Sequence, residues 1–292
     1  MESRIEIELT PFRRWLSDDF MTWLSGAAGR RLLALLGKYQ TDVRLRDDSF
    51  NAYRAQSSVA RVEWWGRQQV PLIKIDPAYL VGTSLLSDDT ARRGFDISDE
   101  FLDLYERHLR QITNTIDSEH ASPGGLWEAK CVQANSGATP FHIVDRQVVN
   151  SQPPLRLDLL AFSVDPQQPA AIAIELKRDS DNRIQDVPDQ LAAYLDVLDP
   201  GGEGLRADMA DSYRRACEQL QTLGLGAPDP SLIHAGMDVV GIVALANYNT
   251  RSELLGRALE SAGRLPRRIN FCFLPANGAI PAASQWFVAA GS

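Results

Sequence analysis

An apolar run that ends in two opposite charges limits what this chain can fold into. The stretch "AAIAIELKR", residues 170 to 178, is apolar at every position up to Ile174 and then continues Glu175, Leu176, Lys177. A strand apolar on both faces belongs in the middle of a sheet that is covered on both sides. Successive strand side chains point to opposite faces, so Glu175 and Lys177 look into one place and Leu176 into the other. As an exposed ion pair at a sheet end the two charges would contribute little. In a central strand an uncompensated charge is costly, so a partner is required there.

The run before it, "LRLDLLAF", carries Asp158 among leucines. If "SVDPQQP" turns the chain back as a hairpin, the two strands are neighbours and Asp158 approaches Glu175 across the ladder. Side by side, two carboxylates repel and raise each other's pKa unless a cation lies between them. Hard oxygen ligands suit Mg²⁺ or Mn²⁺, whose shell is completed by waters and substrate phosphate oxygens. Lys177 cannot ligate a metal as an ammonium. It is expected instead to hold or help deprotonate an attacking water and to offset charge on a phosphate. A helix is expected over about Val187 to Leu198, and Gln190 and Tyr194 stand at i and i+4 on one of its faces. Arg156, Arg178 and Arg183 flank these positions in sequence and can grip phosphates or serve as ordinary flank charges.

The rest of the chain divides in two. Residues 1–97 read as a smaller α+β unit. Phe12, Trp15, Leu16, Phe20, Trp23 and Leu24, then Leu32, Leu33, Leu35 and Leu36 after a Gly26/Gly29 break, predict two short helices. "SVARVEWWGRQQVPLIKIDPAYL" predicts a hairpin about Gly66. The unit suits oligomerisation or packing better than recognition of nucleic acid, since no motif with a mechanism is present; a homodimer stays open. The polar stretch "TSLLSDDTARRGFDISDE" marks the boundary, and residues 98–292 form the second unit. It opens with a helix capped by Ser98, with Phe101, Leu102, Tyr105, Leu109, Ile112 and Ile116 on one stripe. Strand-like runs then alternate with helices, which indicates an α/β architecture around a mixed sheet.

Taken together, an Asp in one strand, Glu-x-Lys on the next and Gln-x-x-x-Tyr on the following helix resemble the PD-(D/E)xK nuclease superfamily in its RecB-like or NucS-like form. The matching text is "RLDLLAF", "AIAIELKR" and "QLAAY". That resemblance implies a restriction-endonuclease-like mixed β-sheet core flanked by helices and a metal-dependent nuclease acting on DNA more readily than RNA. It also implies Asp158 and Glu175 as ligands of Mg²⁺ or Mn²⁺, with the Leu176 carbonyl beside them, Lys177 as the catalytic lysine, and Gln190 and Tyr194 in support. The residue before Asp158 is Leu157 and not Pro, a departure that many members of the superfamily tolerate. A helix glutamate is also implied, for which both Glu106 and Glu128 are available; Glu106 lies on the stronger helix. The competing class is a nucleic-acid-binding or assembly protein of the same fold without turnover.

Other chemistries lack their residues. Cys131, Cys217 and Cys272 have no CxxC spacing, and the four histidines show no HxH or HxxxH pattern, so zinc is disfavoured; a second base near the cleft is conceivable only at His142. P-loop, GxGxxG and GxSxG motifs are missing. A net charge of −8 opposes a wholly basic surface but not a local basic groove. No apolar run is long enough to span a bilayer, and the opening "MESRIEIELT" lacks a secretion pattern, so a cytoplasmic protein without membrane attachment is expected.

Overall fold

The computed structural model describes residues 13–66, 69–85, 94–120, 122–136, 139–151, 154–179, 181–199 and 203–288. Phe12, the opening stretch, residues 86–93 of the expected boundary and the end of "QWFVAA" lie outside the described residues. The chain is α/β, with one antiparallel sheet, one mixed sheet and seven α-helices among the described residues.

The first sheet follows the pair α1 (Asp18–Ser25) and α2 (Ala27–Lys38). Ser17 caps α1 by accepting from the Phe20 amide, and the Gly26 N–H closes the helix on the Trp23 carbonyl. Gly29 lets the two helices cross, because a Cβ there would lie 2.4 Å from Leu24 Cα. Strands β1 (Asp42–Arg46), β2 (Ser49–Arg54), β3 (Ser57–Trp65), β4 (Val70–Lys74) and β5 (Phe95–Asp96) then pair antiparallel in sequence order. Trp65 faces Val70 across the expected turn at Gly66.

Next comes α3 (Asp99–Thr115), capped by Ser98 Oγ accepting from the Phe101 amide at 3.1 Å. Its apolar stripe enters the core beneath the first sheet, among Leu24, Phe50, Val62 and Ile73. α4 (Pro123–Ala134) precedes the second sheet, whose order is β10-β9-β8-β7-β6. Here β6 (Phe141–Ser151), β7 (Pro154–Ser163) and β8 (Ala170–Arg178) run antiparallel, while β8, β9 (Asp238–Ala246) and β10 (Ile269–Leu274) run parallel. The parallel pairs need crossovers, which α5 (Val187–Leu198), α6 (Glu203–Thr222) and α7 (Glu253–Ala262) supply. β8 is therefore central and covered on both faces: Ala171 and Ala173 pack toward α5, α6 and α7, and Ile172 and Ile174 toward α4 and the C-terminal segment. The last segment adds a bridge, Phe271 to Phe287, beside β10.

Two devices join the sheets. α6 is buried on two sides, with Met209, Tyr213 and Cys217 in the core of the second sheet and Ala216 and Leu220 in that of the first. Between the sheets Asp145, 1% exposed, accepts from Arg14 Nε at 3.0 Å, from Arg46 Nη1 and from the Tyr213 hydroxyl at 2.8 Å. Burial alone would raise the Asp145 pKa, yet Arg46 and Arg14 hold it below the usual carboxylate range. No helix among the described residues is long and apolar enough to cross a membrane.

Candidate active site

The ladder between β7 and β8 ends at Leu159 opposite Ile174, and one further step of that register sets Asp158 across from Glu175. There the Asp158 carboxylate takes the Leu176 N–H itself, Oδ2 to N at 2.9 Å. The strands part beyond it, while β8 stays paired with β9 as far as Arg178. The opening is a cleft of about 480 Å³ at the C-terminal end of the central strand, where antiparallel pairing on one side of β8 gives way to parallel pairing on the other.

At its floor Glu175 is only 2% exposed. Lys177 Nζ lies 3.2 Å from Glu175 Oε2, as two side chains on one strand face should. Glu175 Oε1, in contrast, is buried without a hydrogen-bond partner. Burial and then the charge of Asp158 push the Glu175 carboxyl up to about 7, with Lys177 pulling the other way. An orphaned carboxylate oxygen beside a second carboxylate is an electrostatic conflict that a cation relieves.

Of the two candidate helix glutamates, the structure brings Glu128 to the cleft and leaves Glu106 out. Glu106 is half-buried on α3 and paired with Lys38 at 3.1 Å and Arg31 at 3.7 Å; it does not line the opening. The strong periodicity of α3 made Glu106 plausible, but that helix spends its apolar stripe on the first sheet. Glu128, on α4, is 4% exposed and fully engaged: Arg146 Nε donates to Oε1 at 2.7 Å and Gln147 Nε2 to Oε2 at 2.8 Å. Burial, aided by Asp158, still holds its carboxyl above the usual range.

Gln190 lines the cleft from the first turn of α5 and donates to the Tyr194 hydroxyl at 2.7 Å; Tyr194 does not line it and packs against the core instead. Arg156, Arg178 and Arg183 all reach the rim. Arg178 pairs with Asp179, and Arg183 with Asp181, whose carboxyl that contact lowers. For Arg156 no carboxylate partner occurs among the described residues. His142 is buried on β6 and does not line the opening.

Three contributors lie beyond what strand and helix periods reveal. Gln147 takes a left-handed conformation, φ +50°, inside β6, which re-aims its side chain at Glu128. Arg146 is buried behind it, and Gln56 enters the cleft from the first sheet. No period or motif marks Arg146 or Gln56.

For a metal, the donor set is lean. Among the described residues no group of three or more His, Cys, Asp or Glu side chains is gathered tightly enough to hold an ion. Two carboxylates with an orphaned oxygen between open cleft and buried strand do fit Mg²⁺, which keeps several waters and binds through one or two carboxylates plus substrate oxygens. Comparison with protein-family models, curated proteins and solved structures gives no match.

Proposed function

We propose that this chain hydrolyses phosphodiester bonds of nucleic acid, with Mg²⁺ or Mn²⁺ held by Asp158 and Glu175 on a restriction-endonuclease-like core. The observation that carries the reading is the buried, unpartnered Glu175 Oε1, set across the register from Asp158 beneath an open cleft. DNA is preferred to RNA on the resemblance of the motif alone. When bound, the ion supplies a water acidic enough to lose its proton near neutral pH and positive charge for the phosphate.

The chain's own residues do the remainder. Lys177, tethered to Glu175, donates to the attacking water and neutralises charge that builds on the phosphate as the water oxygen bonds to phosphorus, its proton passing to solvent, and the ester oxygen departs. Arg156, Arg178 and Arg183 rim the cleft and hold neighbouring phosphates, and the first turn of α5 contributes Val187 and Gln190 to the wall. Glu128, already satisfied by Arg146 and Gln147, orders water at the floor.

The test is incubation of the purified chain with plasmid and single-stranded oligonucleotides in Mg²⁺ or Mn²⁺. Cleavage is expected, and Glu175→Ala and Lys177→Ala should each abolish it. Cleavage that survives both changes refutes the assignment. Tight binding of uncut DNA without metal would instead favour a non-catalytic binding protein on this fold.

A further inference from the structure

We infer that Gln56, which belongs to the first sheet, is a substrate-binding residue of the cleft, its side-chain amide donating to a phosphate oxygen of the bound nucleic acid. This rests on the phosphodiester reading above. The turn between β2 and β3 that carries Gln56 is shaped by two local irregularities. A register shift falls between Ala52 and Tyr53, and Ala55 has φ +49°, a conformation that costs a residue with a Cβ about 1 to 2 kcal/mol.

The positive φ is what a two-residue hairpin loop requires, and contacts with the second unit hold the turn in place. The Ala55 carbonyl accepts from Arg146 Nη2, and the Arg146 guanidinium, 1% exposed, lies 4.7 Å over the Tyr53 ring while it grips Glu128. Beside it the Gln56 stem lies against the first turn of α4, where a Cβ at Gly125 would come within 2.2 Å of Gln56 Cβ. Glycine is thus the residue that lets the turn seat there.

Seating leaves the amide half used. Ser122, the cap of α4, accepts from the Gly125 amide and donates its hydroxyl to Gln56 Oε1 at 2.6 Å. Gln56 is exposed, so its Nε2 faces solvent in the cleft that the residue lines with Gly124, Gln147 and Arg178. A Cβ on Gly124 would stand 4.0 Å from Arg178 Nε, so this guanidinium shares the rim with the α4 N-terminus and the amide. A guanidinium and a solvent-facing amide whose oxygen is anchored by Ser122 share one rim and suit an anion, and along nucleic acid the anion is a phosphate. The first unit therefore builds one wall of the site.

Parent, Gln56→Ala and Gln56→Glu are compared by steady-state cleavage in Mn²⁺ and by fluorescence anisotropy of a labelled oligonucleotide in EDTA, with Mn²⁺ affinity followed by calorimetry. Loss of a hydrogen bond to a charged group predicts a rise in KM and in oligonucleotide Kd of about tenfold for Gln56→Ala. Gln56→Glu should lose more, since it sets a negative charge against the phosphate. Mn²⁺ affinity and kcat should keep the parent's values. If both variants match the parent in KM and Kd while the parent cuts, the assignment of Gln56 falls and the phosphodiester reading stands. A parent that neither binds nor cuts overturns both.

Discussion

Glu175→Gln should make the metal-free protein more stable above neutral pH, although it removes the central acid of the site. Burial and the neighbouring Asp158 charge raise this carboxyl from the ordinary 4.5 to about 7 in the folded chain. The folded state thus holds the proton more tightly than the unfolded one. Stability from that proton is complete below pH 4.5 and is lost as the pH rises through 7, an amount of about 3 kcal/mol. Glutamine has the same shape, carries no charge and keeps an acceptor for Lys177. The lysine, whose side chain is 11% exposed, loses its ionic partner, so we set the net gain at about 2 kcal/mol. In a chain of this size that is an increase in Tm on the order of 5 °C. The assay is thermal unfolding followed by circular dichroism in EDTA, from pH 4.5 to 8. His142 contributes with the opposite sign. Burial, then Arg44, lowers it to about 4, so its stability is lost as the pH falls from 6.5 toward 4. The difference between parent and variant cancels that contribution and isolates Glu175. A variant no more stable than the parent at pH 8, or an advantage equal at pH 5 and pH 8, refutes the reasoning. Mn²⁺ added at a hundred times its Kd should restore the parent by about 2.7 kcal/mol and leave the variant nearly unmoved.

Two further outcomes follow from the contacts around the site. Asp145→Asn leaves Arg14 and Arg46 buried without their shared counter-charge and should cost about 3 to 5 kcal/mol in urea unfolding, whereas a surface-like cost below 1 kcal/mol would show that the junction between the sheets does not depend on this carboxylate. Glu128→Gln should depress cleavage, while Glu106→Gln, in an exposed pair with Lys38, should leave both rate and Tm near the parent's; the reverse pattern in the cleavage assay would return the helix glutamate to α3.

Periodicity carried far in this chain because most of its elements are local statements. The apolar run at residues 170–174 marks a central strand, and alternation alone puts Glu175 and Lys177 on one face, since the pleat repeats every two residues whatever surrounds it. The same holds for the stripe of α3, whose buried side is the one its 3.6-residue period predicts. What that stripe packs against is another matter: α3 follows the expected boundary in sequence but helps fill the core beneath the first sheet.

By itself, then, the sequence indicated the helices, the hairpin about Gly66, the strands of the second sheet and the acid–lysine pair at the end of β8, because each of these depends on residues within a few positions of one another; β1, β2 and β5 of the first sheet were not among its expectations. Tertiary structure decided the rest. Glu128 and not Glu106 reaches the cleft, Arg146 braces it, and Gln56 arrives from a strand turn more than sixty residues upstream of α4. Such meetings are set by which surfaces bury together, and no repeat along the chain encodes them.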